Sequence, residues 1–316
     1  MNPALSVIFF TTLSGAGFGL LAWQGAMLLA AWLRGNPVPE LYRFHQWTLG
    51  AGACLVVVGL LCSLAHLGKP QRAWRAFSQW RTSWLSREGV ASMLTLAIAA
   101  TLLLVIMPPA RPSTAALAGL LGALLLLSSL ASIACTAMIY ASLRTVPAWR
   151  HLLVVPGYVF FALATGQALR YAAMTHWLGD FGAADMLATL LAFGVMLAVL
   201  KWAYWYEIDR APTAASRGDA VGLPGRDVRV FERPHTEPNF VTREMAFALA
   251  RRHGTALRWL ATGLLAGGPA LAALLAGQGH APTLALALAA TCLLAGAFVE
   301  RWLFFAQARH LVTLYY

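Results

Sequence analysis

Two ionisable side chains stand at the edges of apolar runs in the stretch 64–92, LAHLGKPQRAWRAFSQWRTSWLSREGVAS. His66 closes one run and Glu88 opens the next. Histidine exchanges protons near neutral pH, and a carboxyl at the boundary of lipid and water can pass protons between the two. Such a pair suits a reaction in which a quinone headgroup, arriving from the membrane, exchanges two electrons and two protons. Arg72, Arg75 and Arg81 would stabilise negative charge developing on that headgroup, and Trp74, Trp80 and Trp84 offer flat apolar surfaces at headgroup depth. The same residues also fit a purely structural reading. His66 then caps a helix C-terminus, Glu88 favours the positive end of its helix after an N-cap at Ser86, and the tryptophans form an interfacial belt.

The elements that must position these side chains are membrane helices. Of the 316 residues, 59% are hydrophobic and 11% charged, and the mean hydropathy is +0.66, whereas an average soluble domain has about 25% charged residues. A bilayer core needs about 20 apolar residues per helical crossing. Runs at 7–33, 45–67, 88–107, 115–142, 152–175, 183–206, 256–277 and 283–306 supply eight, which predicts an all-α integral membrane protein forming one bundle over 1–316. The first run is too long for a signal-peptide core and has no basic region before it, so it is expected to be retained. Eight crossings put both termini on one side, together with two long polar loops, 68–87 and 207–255.

The net charge of +11 follows that geometry. Sixteen of the 23 basic residues fall on the face of the termini and long loops, against Arg34, Arg43 and Arg111 on the other. That asymmetry predicts cytoplasmic termini and loops in the inner membrane. Only Lys69 and Lys201 are lysines, and arginine suits bidentate pairing with carboxylates or phosphates, so a protein or lipid-headgroup surface is expected as partner rather than nucleic acid. The stretch 207–237 is rich in Pro, Gly, Arg and Asp and is expected to lack regular structure, while 238–253 could form a basic surface helix from Thr242.

The four cysteines, Cys54, Cys62, Cys135 and Cys292, lie inside apolar runs and never as Cys-x-x-Cys, so no iron–sulfur or zinc site is encoded. Ionisable groups at membrane depth are functional or paired by default. These are Arg170, Glu300 and Arg301. The last two are neighbours pointing about 100° apart on a helix, so each is expected to pair with something else, closing a bundle contact or joining a proton path. Thr11, Thr12 and Ser14 either line a pocket or, with Gly15 and Gly17, mark close helix packing.

Beyond these patterns, LAHLGKPQRAWRAF and RTSWLSREG, an N-terminal FFTTLSGAGFG and the terminal VERWLFFAQARH resemble the membrane anchor family of the anaerobic dimethyl sulfoxide reductases along nearly the whole chain. Within it, the Arg-rich loop and the ending ERWLFFAQARHLVTLYY are most similar to the anchors of cytoplasmic, quinone-reducing sulfite dehydrogenases. The resemblance implies a molybdopterin catalytic subunit and a ferredoxin-like iron–sulfur subunit seated on this chain. It further implies that the chain itself carries neither haem nor cluster and exchanges electrons with ubiquinone or menaquinone. The family's quinone-site histidine, glycine and arginine match His66, Gly68 and Arg72, and its acidic residue matches Glu88. Dimethyl sulfoxide reductase anchors serve exported subunits, whereas the charge count here places the His66 loop in the cytoplasm and favours sulfite oxidation over menaquinol oxidation.

Two other classes compete. A haem-b cytochrome needs two histidines at matching depth, and the eight histidines lie in loops or at helix ends. A secondary transporter would show repeated halves with matching breaks; Pro156-Gly157 and Gly267-Gly268-Pro269 interrupt helices five and seven without a corresponding pair.

Overall fold

The structure is a computed structural model that describes residues 4–35, 42–65, 67–107, 114–180, 182–210, 216–229, 231–232 and 249–315. His66 lies outside the described residues, as does most of 238–253, where the sequence predicts a surface helix. Six long helices come first: α1 (Leu5–Leu33), α2 (Tyr42–Leu64), α3 (Trp84–Val105), α4 (Ala115–Ala141), α5 (Val154–Leu178) and α6 (Ala183–Arg210). A one-turn helix α7 (Arg217–Ala220) follows. The seventh crossing joins α8 (Leu249–Thr262) to α9 (Gly268–Gly277) through a π-helical turn at Gly263–Gly267, and α10 (Pro282–Ala306) is the eighth. Seven of the eight are long and apolar enough to cross a membrane; α5, which carries Gln167 and Arg170, falls outside that group and packs against α1, α4, α6 and α10.

The apolar pattern explains the arrangement. α1 is the axis, contacting α2, α4, α5 and α10. Two-thirds of its most apolar window, 67%, is buried inside the protein, against 28–39% for the other spans, which leave most of their surface outside the protein interior. Lipid gives no hydrophobic drive for helix association, so close packing does the work. A Cβ on Gly19 would lie 1.7 Å from the Ala162 carbonyl of α5, and one on Gly25 would lie 2.4 Å from the Gly122 carbonyl of α4. Both positions admit only glycine without displacing backbone.

Pro156 sits in the first turn of α5, where its missing N–H is harmless, so α5 is unbroken. Pro269 lies inside the seventh crossing, and there the π turn absorbs the lost hydrogen bond. The turn rests on α6, where a Cβ at Gly194 would meet the Leu265 carbonyl at 2.0 Å.

At one end of the bundle lie the 142–153 connection, the 3₁₀ helix Pro70–Gln79 that precedes α3, α7 and the chain end. The Leu311 amide donates to the Thr145 carbonyl at 2.9 Å, and Arg258 of α8 reaches both Asp209 of α6 and Gln307. The described parts of both long loops, the 142–153 connection and the segment Leu311–Tyr315 therefore share one face.

Candidate functional site

The loop after α2 is a built surface rather than a strand of free chain. Its 3₁₀ helix, Pro70–Gln79, lies along the start of α3: the Ser86 hydroxyl donates to the Ala76 carbonyl, and Phe77 covers Gly89, whose absent Cβ would stand 3.1 Å from the ring. Arg87 donates from Nε to the Trp80 carbonyl at 3.0 Å and stacks over Trp84 at 4.3 Å. Ser83, not Ser86, caps α3, accepting from the Ser86 amide at 3.5 Å. The helix thus starts at Trp84, and Glu88 sits one turn inside it, about 6 Å deep by helical rise.

That turn changes the character of Glu88. It is 4% exposed, and Ser92, one turn on, donates to its Oε1 at 3.3 Å. Among the described residues no Lys, Arg or His lies within ion-pair distance of it.

The remaining residues read from the sequence stand outside this recess. Gly68, Arg72, Arg75 and Arg81 are exposed, and Trp84 is half-buried beneath Arg87. Arg75 and Arg81 lean on Trp74 and Trp80, each about 5.6 Å from the ring centre, and both rings are exposed. The structure therefore separates a buried carboxyl from a rim of stacked arginines and tryptophans, and among the described residues brings no arginine to Glu88.

A second buried carboxyl lies across the aromatic cluster of Tyr140, Trp149, Tyr158, Phe304 and Phe305. Glu300 of α10 stands 2.5 Å from Lys201 Nζ of α6 and 3.2 Å from the guanidinium of Arg301. The expectation that Glu300 and Arg301 each pair elsewhere holds only for the contact with Lys201. The long arginine side chain folds back along its own helix, so the Cβ angle does not decide its partner.

Sequence reasoning passed over Lys201 as merely a basic residue within a helix; two opposite charges in apolar runs were the signal. It also missed a polar knot near the opposite face. There the Gln24 amide and His45 Nδ1 lie 2.6 Å apart, and Thr48 donates to Gln24 Oε1 at 2.7 Å. Gln24, a lone amide in a long apolar run, was its visible sign. Among the described residues no three His, Cys, Asp or Glu side chains are grouped to hold a metal.

A sequence model of the DMSO reductase anchor subunit (DmsC) matches residues 1–307. Among curated proteins the chain is similar to a subunit of the sulfite dehydrogenase of Allochromatium vinosum, 33% identical over 335 residues that cover 100% of this chain and 99% of the relative.

Proposed function

This chain belongs to the DMSO reductase anchor subunit family and is a multi-pass membrane anchor subunit of an oxidoreductase complex, and from that premise we propose that it is the quinone-reactive subunit, passing electrons between an iron–sulfur partner and the quinone pool. The partner's catalytic subunit holds the molybdopterin, and the reaction served is sulfite oxidation with quinone reduction. The observation that carries this reading is Glu88: a carboxyl buried one turn inside the loop face, near a surface that is both aromatic and basic. A quinone being reduced needs protons delivered where water is scarce, and a carboxyl that has no cation partner among the described residues can change its protonation state without breaking an ion pair there.

In this reading His66 hydrogen-bonds a headgroup carbonyl, Gly68 leaves the backbone open to it, and Glu88 returns protons from the water. Arg72, Arg75 and Arg81 at the rim favour the headgroup as negative charge develops, with Trp84 as an apolar wall. Termini and long loops are cytoplasmic, as the arginine excess on that face argues. A reporter that fluoresces only in the cytoplasm, fused after Tyr316 or within 215–230, is expected to be bright; a dark, well-expressed C-terminal fusion overturns the orientation.

The test of function is isolation of the assembled complex. Mass spectrometry of the co-purified chains should find a molybdopterin and a ferredoxin-like subunit, and sulfite should reduce added quinone. A complex that oxidises menaquinol and leaves sulfite untouched favours the reductase-type anchor instead. Isolation without either partner rejects the reading.

A further inference from the structure

Two small cavities lie inside the loop-face half of the bundle, and both are lined by Tyr158, Phe161 and Arg301. The outer one lies between α5, α6 and α10, with Leu153 and Val154 towards the surface and Lys201, Glu300 and Tyr204 within. The inner one opens between α1, α4 and α5 and is walled by Thr11, Thr12, Ser14, Thr136 and Thr165. Each is narrow, with room for about one or two water molecules and none for a ring.

The inner cavity has an unusual polar lining for its depth. Ser14, Thr136 and Thr165 donate back to the carbonyls of Phe10, Ser132 and Phe161, at 2.6, 3.0 and 2.7 Å, so their oxygens still offer lone pairs to the space. Tyr158 Oη and Thr12 Oγ1 are buried and have no partner among the described residues, although their residues are only 4% and 8% exposed. Buried hydroxyls in lipid-embedded protein are rarely left orphaned, and a polar space of this size beside two such groups is where an internal water belongs. Arg301, 3.7 Å above the Tyr158 ring, joins this space to the outer cavity.

Tyr204, on the wall of the outer cavity, touches His151 of the loop face. His151 Nε2 lies 2.7 Å from Glu207 at the surface, and its ring meets Tyr204 edge-on at 5.2 Å. Lys201 Nζ stands 3.9 Å over the Tyr204 ring and reaches Glu300. Counting charges, Lys201, Glu300 and Arg301 together carry one positive charge in excess. Loss of one proton from Lys201 leaves Glu300 and Arg301 as a neutral pair, so the triad can hold or release a proton while its carboxylate stays compensated.

We propose that the two cavities form a water-holding proton inlet, running from His151 and Glu207 at the loop face past Lys201, Glu300 and Arg301 to an internal water held by Tyr158 and Thr12. Along it protons exchange between the water at the loop face and the internal site, the waters and the hydroxyls of Tyr158 and Thr12 each accepting one bond and donating the next. The water site stands on the cavity alone; the use of its protons in quinone reduction rests on the function proposed above.

The experiment pairs a high-resolution map of the assembled complex with kinetics of Tyr158→Phe and Lys201→Met. Tyr158→Phe removes one oxygen, and Lys201→Met leaves the neutral Glu300–Arg301 pair, so both should fold. An ordered water bonded to Tyr158 Oη and Thr12 Oγ1 is expected in the wild type and lost in Tyr158→Phe. In both variants quinone-coupled turnover should fall about tenfold or more, with KM for quinone and dye-coupled turnover unchanged and the solvent isotope effect raised. A dry inner cavity, or one filled by an acyl chain, overturns the inlet. So does wild-type quinone turnover in both variants, while a changed KM alone marks the cavity as a headgroup pocket and rejects it too. If the wild-type complex reduces no quinone, the proposed function fails, and the map alone decides the inlet.

Discussion

Glu88 and Glu300 are both buried carboxylates within two turns of the loop-side end of their helices, and they are held in opposite ways. Glu300 touches two cations; Glu88 touches one serine hydroxyl and, among the described residues, no cation. Burying an ion costs several kcal/mol unless it is paired, so Glu300 serves as the counter-ion of Lys201 and Arg301. Glu88 is free of that duty. Its protonation can change without unmaking an interhelical contact, and it stands beside the surface where headgroups and partner subunits arrive. Depth in the membrane is the same kind of cost for both, and pairing decides which carboxylate is scaffold and which is chemistry.

The largest effect expected is at the scaffold. Glu300→Gln leaves Lys201 and Arg301 buried without a counter-ion and should cost about 3–5 kcal/mol, seen as a sharp drop in folded protein extracted from membranes and in its unfolding temperature. Unchanged stability would mean that the buried cations need no counter-ion, and the contrast with Glu88 would collapse. A smaller effect is expected at Ser92, whose single hydrogen bond to Glu88 is worth about 1 kcal/mol. Ser92→Ala should change quinone-coupled turnover by less than about tenfold, with normal assembly. The smallest belongs to the rim: Arg75→Ala and Arg81→Ala, exposed and stacked on tryptophan, should raise KM for quinone a few-fold and leave kcat alone, because screened surface charges contribute about 1 kcal/mol or less. A kcat collapse in either would place arginine inside the reaction and sharpen the site in a different direction.

Much of the architecture was legible because hydropathy reports burial in lipid directly. Seven membrane-spanning helices follow from run lengths; the eighth run, α5, forms a long helix but is less apolar than the rest. Family membership was legible too, in the HLGKPQR and Ser-x-Glu segments. What could not be read was pairing. Glu300 and Lys201 are 99 positions apart, and nothing local in either run says that α6 and α10 bring them to 2.5 Å. Nor could spacing decide between Ser83 and Ser86 as the cap of α3. Both are sound N-caps, and the choice moves Glu88 from the helix edge to a buried turn. Arg72 and Arg75 read as parts of one site with Glu88; the 3₁₀ helix that carries them leaves both exposed.

The central claim is that quinone chemistry runs at the His66–Glu88 end of α2 and α3, and Glu88→Gln in the assembled complex tests it most directly. The amide keeps the shape and removes the exchangeable proton. Turnover with quinone should fall about 10²–10⁴-fold, the usual contribution of a general acid–base group, while turnover of the soluble subunits with artificial dyes, assembly and thermal stability stay at wild-type values. Wild-type quinone kinetics in that variant would contradict the account and leave Glu88 as a buried helix-end carboxyl with no part in the reaction.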